Sequence, residues 1–135
     1  MQNYFEQYLG QFLAQVFDKI NENFIRCSFY ELVSRYLSSC YTFAIEQNNS
    51  AGRSDFEMAG IPGTDYYTDD RVVEFKYYRG KDAERMLSLS EPLPEHVEQV
   101  KGYAEDTKRK FPNYNVRTYV VYICSNKGWK CWEVY

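Results

Sequence analysis

The sequence predicts a mixed α/β domain, a central sheet flanked by helices. Three observations predict it. Apolar residues recur at helical spacing in three stretches, Gln2 to Ile20, Asn21 to Leu37 and Pro94 to Phe111. Short alternating runs bounded by Gly, Pro, Asn and Asp read as strands at Tyr41 to Gln47, Ser54 to Ala59 and Arg71 to Tyr78. The most apolar run, VRTYVVYIC from Val116 to Cys124, is a further strand, expected at the centre of the sheet. The main order is α-α-β-β-β-α-β-β.

The first helix carries Phe5, Leu9, Phe12, Val16 and Ile20 on one stripe, widened by Leu13 and Phe17. It covers a core edge or, if the chain is an excised domain, docks on a neighbour. Residues 1–20 are therefore an amphipathic N-terminal helix and residues 21–135 the domain proper. The second helix starts near Asn21 to Asn23, with Ile25, Phe29, Leu32 and Tyr36 as its buried stripe, broadened by Val33 and Leu37. Glu22 projects onto the same face. It is either a first-turn acid favoured by the helix dipole or a carboxylate turned toward a site.

Tyr41, Phe43 and Ile45 alternate along the first strand, and the turn from Asn48 to Gly52 pairs it with the second as a hairpin. Glu46 lies opposite those aromatics, at a strand end where it meets solvent or lines a site. The connection after Ala59 holds Gly60, Pro62, Gly63 and an Asp69–Asp70 pair, all read as turn signals. In the strand that follows, Glu74 and Lys76 break an apolar run. Strand periodicity puts both on one face and Val73, Phe75 and Tyr77 on the other. A carboxylate and an ammonium among apolar neighbours are costly unless they serve each other, a ligand or a metal. If the second and third strands pair, Asp55 lies across from them.

Tyr78, Arg79 and Lys81 form an aromatic–basic group, suited to a base and a phosphate or simply to a strand end in solvent. Lys81 to Ser90 reads as a short helix and Ser88 to Pro94 as a loop open to movement. The next helix opens at Pro94 and is closed by Pro112, with Val97, Val100, Ala104, Thr107 and Phe111 inward. Gln99 and Tyr103 are neighbours beside that stripe, at the boundary of helix and sheet. His96 shares their side and is read as a surface residue, and Lys108 to Lys110 offset the dipole at the helix end or touch phosphates. Trp129 to Tyr135 closes the sheet after a turn at Ser125 to Gly128.

At 135 residues the chain is one domain with room for a real core, and 14 tyrosines give it rings that pack while their hydroxyls stay wet. A net charge of −3 and a pI near 5.2 exclude a generally basic nucleic-acid coat, so any such contact comes from a local patch. No apolar run approaches the roughly 20 residues of a membrane span, and no signal-peptide pattern is present, so a cytoplasmic protein is expected. Cys27, Cys40, Cys124 and Cys131 have no CxxC spacing. They read as thiols, two in a helix and two in the C-terminal hairpin, rather than a zinc or iron–sulfur site.

Asp55 followed by Glu74-Phe75-Lys76 resembles the signature of the PD-(D/E)XK, or restriction-endonuclease-like, nuclease superfamily, with Ser54 where its name has Pro. The lead-in Gly52-Arg53-Ser54-Asp55 and the pair Gln99-x-x-x-Tyr103 resemble the RecB-like side. The helix start at Asn21–Glu22 and the Lys127-Gly128-x-Lys130-Cys131 segment resemble the nuclease-like domain at the C-terminus of bacterial AAA-ATPase-like proteins. The resemblance implies metal-dependent hydrolysis of nucleic acid, with DNA the expected substrate. In it Asp55, Glu74 and the carbonyl of Phe75 hold Mg²⁺ or Mn²⁺. Lys76 orients the attacking water or stabilises charge on the phosphate. Gln99 and Tyr103 brace the site, and Glu22 is an accessory carboxylate. An AAA-type ATPase is the implied protein partner. The competing reading is a nuclease-fold module that binds without turnover, favoured by the acidic pI.

Overall fold

The computed structural model describes residues 7, 22–49 and 52–134, and gives only the backbone course of residues 22, 23, 45–49 and 52–55. Its elements are α1 (Glu22–Leu37), β1 (Tyr41–Asn49), β2 (Gly52–Gly60), β3 (Asp69–Tyr78), α2 (Gly80–Leu87), α3 (Pro94–Lys110), β4 (Asn115–Cys124) and β5 (Gly128–Glu133). The helix expected over Gln2 to Ile20 lies outside the described residues. Two helices connect β3 to β4, the short one expected after Lys81 and the longer one opened by Pro94. The two strands are parallel, and a parallel neighbour needs such a crossover.

The five strands run in the order β1-β2-β3-β4-β5. β1 and β2 form the expected antiparallel hairpin, tightened to Asn49 opposite Gly52. β2 pairs antiparallel with β3, and β4 with β5. The middle position therefore belongs to β3, not to the more apolar β4, which lies beside it. Hydropathy measures how much of a strand is covered, and β4 is buried over nearly its whole length.

Strand alternation divides the residues between two layers. Val73 and Phe75 of β3, Phe56 and Met58 of β2, and Val121 and Ile123 of β4 face α1, where Ile25, Phe29 and Val33 complete a dry core. Phe29 meets Phe56 and Phe75 edge-on at ring separations of 5.2 and 5.5 Å. The other face carries Val120, Tyr122 and Cys124 beneath Ala83 and Met86 of α2 and Val100 of α3.

Several expectations need correction. Tyr36 is 66% exposed, because the apolar arc of α1 ends at Val33 and Leu37. Phe111 is half exposed as the C-cap of α3, and Tyr103 takes an inward position instead. Cys40 lies in the turn before β1, not in a helix, and all four cysteines are free thiols. Burial pushes the Cys124 and Cys131 thiols up to about 11, which keeps them unreactive. Asp69 and Asp70 begin β3 rather than ending a loop. Asp69 accepts from Tyr41 Oη at 2.5 Å and from Arg71 Nε at 3.0 Å. The loop before α3 is tied down, since Trp132 Nε1 donates to Ser90 O at 3.0 Å and Leu93 N to Tyr122 Oη at 2.8 Å.

Candidate active site

Glu74 and Lys76 share the face covered by α3, and their charges meet at 3.0 Å. Glu74 is 1% exposed, whereas the Lys76 side chain keeps 22% of its surface in solvent. A carboxylate buried to that degree is matched by positive charge or held protonated. The lysine answers it from the rim, two residues along the same strand.

Asp55 enters through the register of the sheet. Phe56 stands opposite Val73 and Glu57 opposite Val72. The paired register ends at Phe56 and Val73, so Asp55 lies next to the last residue of β2 paired with β3, at a position of the same parity as Glu57. The side chains of Asp55, Glu22 and Glu46 lie outside the described residues. Among those described, no three or more His, Cys, Asp or Glu side chains gather into a metal-holding group. The donors that the sequence reading names are two carboxylates, Asp55 and Glu74, with the adjoining Phe75 carbonyl. Hard oxygens of that kind suit Mg²⁺ or Mn²⁺, and the burial of Glu74 fits a cation beside it.

α3 crosses β2, β3 and β4 on this face. It brings half-buried Gln99 and buried Tyr103 over the strands that carry the carboxylates. The Tyr103 hydroxyl donates to Glu57 Oε2, pinning α3 to β2 two residues beyond Asp55. Burial, and then the bond to Glu57, push the Tyr103 phenol well above its ordinary range, so it remains a donor.

Glu57 and Asp70 were not singled out from the sequence. Asp70 is 1% exposed, and its Oδ1 has no hydrogen-bond partner among the described residues. Burial, followed by the nearby Glu57 carboxylate, raises its pKa from 3.8 to about 8. The signal that finds both is parity: Glu57 is two residues from Asp55 and Asp70 four from Glu74, so each shares the Glu74 face. Asp70 was hidden because an Asp–Asp pair after a Gly- and Pro-containing stretch looks like a turn.

Tyr78, Arg79 and Lys81 do not converge. Tyr78 packs edge-on against Tyr122 at 5.2 Å on the α3 face, while the Arg79 guanidinium lies 5.2 Å from the ring centre of Tyr77, on the α1 side. Lys81 is exposed in the first turn of α2. The basic end of α3 is also partly neutralised, since Arg109 and Lys110 reach Asp106 at 2.8 and 2.9 Å. A cavity of about 210 Å³ lined by Val33, Leu37, Tyr41, Met58 and Arg71 opens on the α1 face, away from Glu74 and Lys76. Shape alone would favour that cavity, but hydrolytic chemistry needs the carboxylates of the other face.

A mixed sheet with helices on both faces and an Asp, Glu and Lys carried on two adjacent strands is a restriction-endonuclease-like α/β domain. The family model of the PD-(D/E)XK nuclease superfamily matches residues 20–133, and the chain belongs to that superfamily. Comparison with curated proteins and with solved structures returned no significant match. No helix among the described residues is long and apolar enough to cross a membrane.

Proposed function

We propose that this chain is a divalent-metal-dependent nuclease acting on nucleic acid, with DNA as substrate. The observation that carries the reading is the buried Glu74, paired with Lys76 at 3.0 Å beneath the helix bearing Gln99 and Tyr103, with Asp55 next to the last paired residue of the adjoining strand. Asp55, Glu74 and the Phe75 carbonyl would hold Mg²⁺ or Mn²⁺. When bound, such an ion supplies Lewis acidity toward the phosphate and lowers the pKa of water.

The chain's own residues do the rest. Lys76 directs its ammonium over Glu74 from a largely buried position at the rim, where it orients the attacking water or takes up charge growing on a phosphate oxygen. Gln99 sits on the covering helix and contacts the phosphate or the attacking water. Tyr103 holds that helix to β2 through Glu57. Glu22, in the first turn of α1, is the accessory carboxylate of this reading. Tyr78, Arg79 and Lys81 are spread over two faces: Arg79 lies on the α1 side, whereas Tyr78 and the helix that carries Lys81 lie on the face that would meet the strand being cut.

A module that binds without turnover, for example beside an AAA-type ATPase, is the second reading. It is favoured by the acidic pI, and by Asp106 offsetting part of the charge of Arg109 and Lys110 at the end of α3. One experiment separates the two: Mn²⁺ titration by calorimetry together with single-turnover cleavage of single-stranded, duplex and branched DNA and RNA. The nuclease reading expects metal binding and cleavage, both lost in Asp55→Ala. It also expects Gln99→Ala to keep metal affinity while cleaving roughly 10–100-fold more slowly. Metal binding without cleavage of any substrate would favour the second reading.

A further inference from the structure

The cavity of about 210 Å³ on the α1 face takes no part in the hydrolytic reading, yet its lining is chemically divided. Val33, Leu37 and Met58 give it apolar surface, and the rings of Tyr41 and Tyr66 stand 5.5 Å apart beside them. Arg71 supplies its charged group. An apolar void of roughly 150 Å³ takes one benzene ring, so the space here suits a single ring with a short substituent. Main-chain bonds fix its rim. Ile61 N donates to Cys40 O at 2.8 Å and Asp69 N to Tyr66 O at 2.9 Å, which ties the turn before β1 and the start of β3 to the β2–β3 connection. A site formed in advance spends little on ordering when it is filled.

Arg71 shares the strand face of Val73 and Phe75, toward α1. Its Nε donates to Asp69 Oδ2 at 3.0 Å, and the same oxygen accepts from Tyr41 Oη at 2.5 Å. Asp69 therefore sets the guanidinium plane while using only one of its five N–H groups. The terminal nitrogens, Nη1 and Nη2, make no hydrogen bond to the described residues, and the side chain is 23% exposed. Asp69 is the carboxylate acting on Arg71. Its other neighbours are the Tyr41 and Tyr119 phenols, which burial pushes above their ordinary range and keeps uncharged. The unused edge of the guanidinium is a planar pair of donors, spaced as a carboxylate needs.

We propose that this cavity binds a small aromatic carboxylate, its ring against Val33, Leu37 and Met58 and its two oxygens on the terminal nitrogens of Arg71. The site lies on the sheet face opposite Glu74 and Lys76, so it stands apart from the nuclease reading.

Benzoate is the probe, and benzyl alcohol is its uncharged counterpart of similar size. In the full chain, the methyl resonances of Val33, Leu37 and Met58 report the cavity directly. Benzoate should shift all three saturably, with a Kd on the order of 1 mM at neutral pH. Benzyl alcohol should bind at least about tenfold more weakly, because it gives the guanidinium no charged acceptor. Arg71→Gln should remove that preference and bring benzoate down to the affinity of the alcohol. Cys40→Leu adds bulk to the lining and should abolish the binding of both, with a melt confirming that each variant is folded. The acid and alcohol comparison needs no variant, so it decides even where Arg71→Gln does not fold. Methyl resonances unmoved at about ten times the expected Kd overturn the proposal. Equal binding of acid and alcohol overturns it too, by reducing the site to a plain apolar void. Benzoate binding undiminished in folded Arg71→Gln, or unchanged in Cys40→Leu, would place the ligand elsewhere and have the same consequence.

Discussion

Glu74 has almost no water to solvate its charge, and Lys76 supplies the compensation from 3.0 Å. Two consequences follow from that asymmetry. Glu74→Gln keeps the shape and removes a charge that the nuclease reading sets against the Asp55 carboxylate, so on that reading it should fold normally, melt no lower in metal-free buffer and lose metal-dependent cleavage. Unfolding of this variant would make Glu74 a structural ion-pair partner and remove it from the site. Lys76→Met leaves the buried carboxylate without its lysine and should cost about 3 kcal/mol in urea unfolding with chelator present.

Asp70 makes a pH-dependent prediction at the same scale. Its pKa is raised on folding, the reverse of the ordinary salt-bridged carboxylate, so the folded state binds the proton more tightly than the unfolded state. Its contribution to stability is complete below the unfolded value of 3.8 and is lost as pH rises through about 8. Unfolding free energy of the metal-free protein should decline across that window. Asp70→Asn, which carries no ionisable proton, should flatten the decline. An unchanged slope in the variant would assign the effect to another group.

Among the elements, α3 reaches β2 through the bond between Tyr103 and Glu57. Tyr103 is buried and donates to Glu57, so Tyr103→Phe keeps the ring but should cost roughly 1.5–3 kcal/mol for a lost bond to a charged acceptor. Tyr103→Ala, which also opens a cavity, should cost roughly 3–5 kcal/mol. Equal losses would place the whole effect in packing. The β2–β3 connection is limited by backbone contact at its start. A Cβ on Gly60 would stand 1.5 Å from the Tyr66 carbonyl oxygen and 2.8 Å from Tyr67 Cα. Neither atom belongs to a side chain that can swing aside, so Gly60→Ala should lower stability by at least about 1–3 kcal/mol by thermal melt.

For the molecule as a whole, the sheet separates two environments. One face is sealed by the aromatic contacts of α1, and the other holds Glu57, Asp70, Glu74 and Lys76 under α3. The first supplies stability, while the second gathers like charges that a cation would relieve. Mg²⁺ or Mn²⁺ should therefore raise the melting temperature of the wild type, by an amount equivalent to about 2.7 kcal/mol at a hundredfold excess over Kd. The shift should disappear in Asp55→Ala. An equal shift in that variant would locate the metal elsewhere, with Asp70 and Glu57 the first alternative.

Local pattern determined a large share of this protein. Period-two alternation separated Glu74 and Lys76 from Val73 and Phe75, and the Asn- and Gly-bearing turn paired β1 with β2. Pro94 opened α3 where a helix tolerates proline, and the spacing of Gln99 and Tyr103 set both on one flank of it. These features depend on neighbours within a few residues, which a sequence states directly. Tertiary structure decided what depends on distant partners. It put β3 rather than β4 in the middle of the sheet and turned Tyr36 and Phe111 out to solvent. It also drew Asp70 from an apparent turn into a buried strand beside Glu57, and divided Tyr78 from Arg79 across the sheet. The bond from Tyr103 to Glu57 spans 46 residues and that from His96 to Tyr122 spans 26. No periodicity encodes either, because each exists only where the β2–β3 and β3–β4 registers meet the face of α3.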